Sequence, residues 1–292
     1  MGAFFAPVSM ENDAIGWTSP WTLTPSAMNT WVGEELRTIG VETSLEHRGD
    51  AVSVTGTVGV FGWNDPAGEL LAARGWAMGD TTSGLRAVVR EPDAYAPAAY
   101  TSPPVLYKPF VEYDNRPGAY AALAVDAPAY GQARLLYYDN RADPAAHGDV
   151  DGRTVYAWYT TFWSGCLQKR IGALTLLAQA MRGSTIVEPA PGVLVDTRFA
   201  TGFVMAAWDH GAWQPVVRLE AFQARQYPDV ESNPFAEHGN AITVALNWRP
   251  RDHLRLVAEW VRIDSARNQR REVGLPARVR EQQLQLAARW AF

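Results

Sequence analysis

The chain has 292 residues, a formal net charge of −5 and a pI of about 5.6, which leaves no basic footprint for a nucleic acid. Hydrophobic content is 47% and mean hydropathy −0.18, and no run of about eighteen apolar residues exists, so an ordinary transmembrane helix is excluded. A single cysteine, Cys166, excludes an intrachain disulfide and a cysteine-based metal cluster; it reads as a small buried or lipid-facing residue and not as a nucleophile.

The opening Met1-Gly-Ala-Phe-Phe-Ala-Pro-Val8 lacks the basic region, long apolar core and cleavage site of a signal peptide. Phe4 to Ser9 reads as the end of a strand, followed by a polar turn at Glu11-Asn-Asp13. Thr24-Pro-Ser26 predicts a helix start, with Thr24 as cap and Pro25 in the first turn, and a short helix through about Glu35. In a porin such a segment lies on or folds into the pore; in a soluble protein it covers a sheet end.

Regular alternation begins near Arg37. Ile39, Val41, Thr43 and Leu45 oppose Thr38, Gly40, Glu42 and Ser44, and after His47-Arg-Gly-Asp50 a second strand carries Val52 to Val60. Asn64-Asp-Pro-Ala-Gly68 is turn chemistry, and a strand is predicted from there to about Met78. Leu85 to Arg90 is read as a short strand inside a long irregular loop, residues 80–107, marked by Pro92, Pro97, Pro103 and Pro104. Further strands are predicted at Phe110–Tyr113, Tyr120–Val125, Gln132–Tyr138, Val155–Trp163 and Leu174–Met181. Others follow at Arg198–Met205, Val217–Phe222, Ile242–Arg249 and Leu254–Trp260.

The chain closes on Glu281-Gln-Gln-Leu-Gln-Leu-Ala-Ala-Arg-Trp-Ala-Phe292. Leu284, Leu286, Ala288, Trp290 and Phe292 form an apolar face against Gln283, Gln285, Ala287 and Arg289, and about ten residues suffice to cross a bilayer when tilted. A terminal strand ending on an aromatic resembles the assembly signal of outer-membrane barrels, carried here by Trp290 and Phe292. The connections alternate long and short backward from it. Ser265–Arg280 is long, Arg249–Asp252 short, Gln226–Asn240 long and Asp209–Ala212 short. Gly183–Val193 is read as long, Ser164–Arg170 as fairly short, Asp139–Gly152 as long, and Pro128 lies in a short turn. Short periplasmic turns and long external loops are the habit of these barrels. Trp208, Trp213 and Trp248 beside the short turns suit an interfacial girdle.

Phasing the strands with apolar residues toward lipid assigns Arg134, Arg198, Arg218, Glu220, Arg255, Glu259 and Arg289 to the lumen, with Glu42, Glu46 and Asp196. On the lipid side an Arg would cost about 2–4 kcal/mol near the midplane. An Arg facing an acid across strands would set a transverse field; the plainer reading is a hydrated, salt-bridged wall. His147-Gly-Asp149-Val-Asp151-Gly152 lacks the remaining ligands and terminal Glu of a Ca²⁺ loop and reads as a solvated external loop. His47, His147, His210, His238 and His253 show neither metal spacing nor a triad arrangement, so neither a metal, a cofactor nor a catalytic residue is expected.

Several phrases resemble a group of proteobacterial outer-membrane porin-like proteins related to the phosphate-selective porin O and P family. They are Gly2-Ala-Phe-Phe-Ala-Pro-Val-Ser9, Trp31-Val-Gly-Glu-Glu-Leu-Arg-Thr-Ile-Gly40, Tyr137-Tyr-Asp-Asn-Arg141 and Gln283-Leu-Gln-Leu286. In such relatives residues like the first eight fall well inside the barrel, which implies a chain lacking its first strands. The phosphate selectivity does not carry over, because no Lys-rich cluster is present.

The expectation is therefore one all-β domain over 1–292, an antiparallel up-and-down transmembrane β-barrel with about 13–14 strands present out of about 16 or 18. Its function is read as a porin-like channel of the bacterial outer membrane for passive diffusion of small hydrophilic solutes, not an enzyme. The alternatives are a soluble or surface β-protein binding carbohydrate through its 12 Trp, 11 Tyr and 10 Phe, or a non-conducting structural barrel. Its expected partners are membrane lipid and lipopolysaccharide, the barrel-assembly machinery, the solutes and other copies in a homotrimer.

Overall fold

The computed structural model of the chain describes residues 1–14, 16–90, 106–150, 153–227 and 235–290. Strand β1 (Gly2–Phe5) begins an antiparallel sheet continued by β2 (Arg37–Arg48) and β3 (Ser53–Gly62). A two-residue ladder of β4 (Val89–Arg90) with β5 (Leu106–Tyr107) stands apart. The sheet resumes with β6 (Gly118–Ala127) and β7 (Gly131–Asp139), and a second side ladder joins β8 (His147–Val150) to β9 (Arg153–Tyr156). Then follow β10 (Tyr159–Ile171), β11 (Leu174–Ala190), β12 (Val193–Trp208), β13 (Trp213–Tyr227), β14 (Glu237–Arg251), β15 (Leu254–Arg267) and β16 (Arg278–Trp290). The main sheet holds 12 strands, each paired with its neighbours in chain order, and β1 and β16 lie at its edges.

Connections explain the architecture. The turns at 49–52, 128–130, 172–173, 209–212 and 252–253 all lie at one end, and the long insertions 6–36, 63–117, 140–158 and 268–277 all leave from the other. Long connections and short turns keep to opposite ends from β1 onward, except between β11 and β12, where the connection at the long end is only two residues. Phe110–Tyr113, expected as a strand, is not one and belongs to the long connection between β3 and β6. Gly183–Val193 is not a loop either. A bulge between Val187 and Ala190 lets β11 run on to a two-residue turn, Pro191-Gly192, where Pro191 presets φ and Gly192 supplies a φ of 77°. Ser164–Arg170 lies inside β10, whose turn is only Gly172-Ala173.

The two helices sit in the insertions. Helix α1 (Ala27–Glu35) follows Ser26, not Thr24, as the capping position, and all nine of its residues are buried. The segment after Gly68, expected as a strand, is helix α2 (Glu69–Arg74). Its Leu70-Leu-Ala-Ala run has helical preference and two apolar residues on one turn, which a short apolar run alone does not distinguish from a strand. Of Leu85–Arg90 only Val89–Arg90 is extended, Phe4–Ser9 is strand only to Phe5, and Val155–Trp163 is broken at Ala157-Trp158. Residues 91–105 of the expected 80–107 loop, Asp151 and Gly152, and Phe292 lie outside the described residues.

The two faces of the sheet differ sharply. One carries exposed Val41, Leu123, Leu135, Leu167, Val217, Leu246 and Leu284, a belt that water would not tolerate but lipid would. Trp208, Trp213, Trp248 and Trp290 stand at its short-turn end, with Trp213 and Trp248 stacked at 5.2 Å. The other face wraps around the two insertions. Its large apolar groups, Phe162, Phe199, Phe203, Met181 and Met205, meet Trp31 and Trp76 in one core. No helix is long and apolar enough to cross a membrane among the described residues.

Candidate functional site

The inner face is where side-chain chemistry gathers. Alternation along β13 puts Gln214, Val216, Arg218, Glu220, Phe222 and Ala224 inward, all buried, and Trp213, Val217, Leu219, Ala221, Gln223 and Arg225 outward, all exposed. The fully buried Arg218 guanidinium is the hub. Its Nε donates to Glu220 Oε1 at 3.1 Å and its Nη2 to Thr243 Oγ1 at 3.1 Å. Its Nη1 reaches Glu11, Thr22 Oγ1 at 3.3 Å and the Thr24 carbonyl at 2.9 Å. Glu11 and Glu220 are as deeply buried as Arg218, and such a triad persists only because every charged atom has a partner.

The carboxylates in turn hold the first insertion by its backbone. Glu259 accepts from the Leu23 and Thr24 N–H groups at 2.6 and 2.8 Å, and Glu220 from Ala27 N–H at 2.8 Å. Glu11 accepts from Ser26 N–H, Ser26 Oγ and Asn29 Nδ2. Of these donors, Ala27 N–H is one that α1 leaves without an intrahelical partner, and the Ser26 hydroxyl is engaged by Glu11 and makes no side-chain cap. Further along the same sheet, on β11 and β7, Gln179 Nε2 donates to the Val8 carbonyl at 3.0 Å, and Arg134 Nη1 to the Ser9 carbonyl at 2.6 Å and to Asp13 at 3.3 Å. Residues 8–29 are thus fastened on β7, β10, β11, β13 and β15.

The structure places six of the seven expected lumen residues on the inner face: Arg134, Arg218, Glu220, Arg255, Glu259 and Arg289. Arg218, Glu220 and Glu259 converge around residues 22–27. Arg255 and Arg289 face each other across β15 and β16 nearer the short turns, and Arg255 donates to Asn247 Oδ1 at 2.8 and 2.6 Å. Glu42 and Glu46 lie on the exposed inner side of β2. Arg198 and Asp196 do not belong with them. They project outward from β12, joined to each other at 2.9 Å, because Phe199, Phe203 and Met205 take the inward positions. A lumen occupied by an insertion is itself a core, so the larger apolar face of β12 turns in and small Ala200 and Gly202 turn out. Cys166 is on the inner face, its Sγ 3.4 Å from the Val8 carbonyl. Trp290 projects outward on β16 beside His253.

Sequence reading missed the groups contributed by the insertions. Glu35 ends α1 and its carboxylate accepts from Gly68, Leu70 and Leu71 N–H at the start of α2 and from Trp31 Nε1, tying one insertion to the other. Glu237 accepts from Trp76 N–H at 2.8 Å and lies 3.7 Å from Arg267. The signal for these was weak: an acid alone in an apolar helix, and an acid and an Arg at strand ends. Burial pushes the Glu35 carboxyl up to about 7, against the N–H donors and Arg74, which pull it down. Asp65, buried beside Glu112 and Asp114, is pushed up to about 6, mainly by desolvation. For both, protonation favours the folded state. Stability is therefore complete below their ordinary carboxylate values and declines as pH rises through about 6 to 7. Raising pH from 5 to 8 is expected to expose residues 27–75 to protease. Glu35→Gln should remove a contribution on the order of 2–3 kcal/mol to that dependence, leaving the part due to Asp65. A Glu35→Gln variant with an unchanged pH profile would refute this assignment.

Carboxylate oxygens of Asp65, Glu112 and Asp114 lie within 4.8 Å of one another, the one grouping among the described residues with the donors for a cation. Each is also a backbone acceptor, from Tyr113 N–H, Trp63 N–H and Arg116 N–H respectively.

No family model matches the sequence, and no curated protein matches it. Among solved structures, 100% of this chain is similar to 70% of the outer membrane channel DcaP of Acinetobacter baumannii, with a TM-score of 0.54 and 10% identity. It is also similar to OmpT, an outer membrane protein of Vibrio cholerae, in its in-vitro folded trimer form. There 87% of this chain and 92% of that chain align at 11% identity and a TM-score of 0.42. For the OmpT mutant lacking loop L8 the values are 87%, 91%, 11% and 0.43. At such identities the likeness is one of fold: the antiparallel meander described above is that of outer-membrane β-barrels.

Proposed function

We propose that this chain is a porin-like channel of the bacterial outer membrane, through which small hydrophilic solutes diffuse along a passage narrowed by residues 6–36 and 63–85. The observation that carries the reading is the opposition of the two faces: an apolar belt edged by Trp outside, and charged or amide side chains inside. A wall bearing Arg134, Arg255, Arg289, Glu42 and Glu46 offers hydrated groups of both signs, and a filter of this kind needs width and charge but no chemistry. No enzymatic step is assigned to it. The likeness to DcaP, described as an outer membrane channel, supports the same reading. A relationship to the phosphate-selective porin O and P group belongs to the proposal, carried by the phrases at 2–9, 31–40, 137–141 and 283–286, without the anion selectivity.

A specific observation favours a second reading. At the level of Arg218 the insertions fill the interior with fully buried groups, as expected of a non-conducting structural barrel. Planar-bilayer recording of the folded protein separates the two. Discrete steps of small conductance with weak ion selectivity are expected; an ion-tight bilayer with correctly folded protein would overturn the channel. Recovery of the exported protein in the soluble fraction would overturn the membrane location itself, and return the aromatic residues to a carbohydrate-binding role. The mass of the detergent-solubilised complex tests the homotrimer.

A further inference from the structure

The outer face of the sheet carries a groove that continues into a patch of positive charge. Its floor is made of small residues, Gly165, Ala178, Ala180 and Gly202, between walls of Leu135 and Leu167 on one side and Val204 and Leu219 on the other, enclosing about 870 Å³. Through Gly165, Ala180 and Ala221 it joins a second hollow of about 580 Å³ toward the insertion end, bordered by Trp163, Arg182, Gln223 and His238. The register shows why the cations gather there. Arg182, Ala200, Gln223 and His238 lie in one cross-strand row over β11 to β14, and one step further along the outer face Arg198 lies directly opposite Arg225.

Like charges facing each other across strands are destabilising unless something lies between them. Arg198 is engaged by Asp196 at 2.9 Å and stands over the Tyr227 ring at 4.3 Å. Arg182 and Arg225 are exposed, and neither makes an ion pair among the described residues. Guanidinium groups beside an apolar trough match an amphiphile with an anionic head, and phosphate is the head that Arg geometry fits best. A second copy of the chain is the poorer occupant, since it would bring its own apolar belt against these cations, and the outward acids Asp196 and Asp264 are already paired with arginines.

We infer that this outer groove binds a phosphorylated acyl lipid, with its phosphate against Arg182, Arg225 and His238 and an acyl chain along Gly165, Ala178, Ala180 and Gly202. The site rests on the outer-membrane reading above and gives it a lipid of stated chemistry in the leaflet at the insertion end.

The test uses the full chain folded in neutral detergent and titrated with mixed micelles of diacyl phosphatidic acid, diacyl phosphatidylcholine, or with inorganic phosphate alone. Phosphatidic acid is expected to bind about tenfold more tightly than phosphatidylcholine, and the double variant Arg182→Ala/Arg225→Ala to lose about that factor for phosphatidic acid alone. Ala180→Trp, which fills the groove, should weaken both lipids. Heat-modifiable gel mobility should stay unchanged in each variant. Equal binding of the two lipids, binding of inorganic phosphate as tight as that of the lipid, or full binding by the double variant would each overturn the site. A change of oligomeric mass in Ala180→Trp without loss of lipid assigns the groove to a second copy and likewise overturns it. Protein that binds phosphatidic acid but passes no ions removes the channel and leaves the lipid site standing.

Discussion

Replacing Arg218 by Met is expected to release the first insertion from the interior of the sheet. The substitution removes the only positive charge within ion-pair distance of Glu11 and Glu220 among the described residues, and both carboxylates are fully buried. Breaking a buried pair from one side costs about 3–5 kcal/mol, because the stranded charge cannot be solvated in place. The strands do not depend on that guanidinium for their backbone hydrogen bonds. The loss should therefore fall on residues 8–29, which depend on Glu11 and Glu220 for their amide partners. The measurable outcome is protease cleavage within 10–30 in a protein that keeps its heat-modifiable mobility, together with a higher single-channel conductance. Restoring charge balance should reverse it: Arg218→Met combined with Glu11→Gln and Glu220→Gln leaves a polar but uncharged cluster, and the insertion should redock. A single variant as protease-resistant and as poorly conducting as the parent would refute the locking role.

The second large effect is expected from Trp31→Ala. Trp31 lies with its ring 5.0 Å from Phe199, 5.6 Å from Phe162 and 6.1 Å from Trp76, all edge-on, so it contacts both the wall and the second insertion. Removing a buried Trp costs about 3–5 kcal/mol, and here the cavity would open where α1 meets β10 and β12. It also withdraws the indole N–H from Glu35 and so weakens the link to α2. Unlike Arg218→Met, this variant should loosen both insertions together, with cleavage appearing in 6–36 and in 63–85 at the same protease concentration. Trp31→Phe keeps most of the apolar contact and should recover the larger part of the loss. Cleavage confined to the first insertion would show that the two dock independently.

The strands were readable because lipid and interior impose a period of two, and where one face was plainly apolar the phase came out as the structure has it. Leu174, Leu176, Ala178 and Ala180 face outward, as do Ile242, Val244, Leu246 and Trp248. The rule failed on β12, where both faces are apolar and the larger set packs inside. Arg198 was consequently placed in the lumen when it stands outside, near the end of its strand. Glu11, Glu35 and Gln179 were unreadable for a different reason. Their partners lie at sequence separations of 207, 35 and 171 residues in contacts such as Arg218–Glu11, Leu70–Glu35 and Val8–Gln179, and no local pattern encodes them. A polar residue in a turn and one buried against a distant strand look alike until the strand order is known.

The stitching of the first insertion has a consequence for the order of folding. Leu23 waits for Glu259, which is 236 residues away, and Thr24 for Gln285, which is 261 away. Residues 23 and 24 therefore find these partners only once the β15–β16 hairpin exists, so closing that contact is among the slowest steps the topology allows. Until then Phe199, Phe203 and Met205 line a wet, unfilled interior. Refolding should accordingly proceed in two stages: appearance of the sheet by circular dichroism, and a later blue shift of Trp fluorescence as Trp31 and Trp76 enter the completed wall.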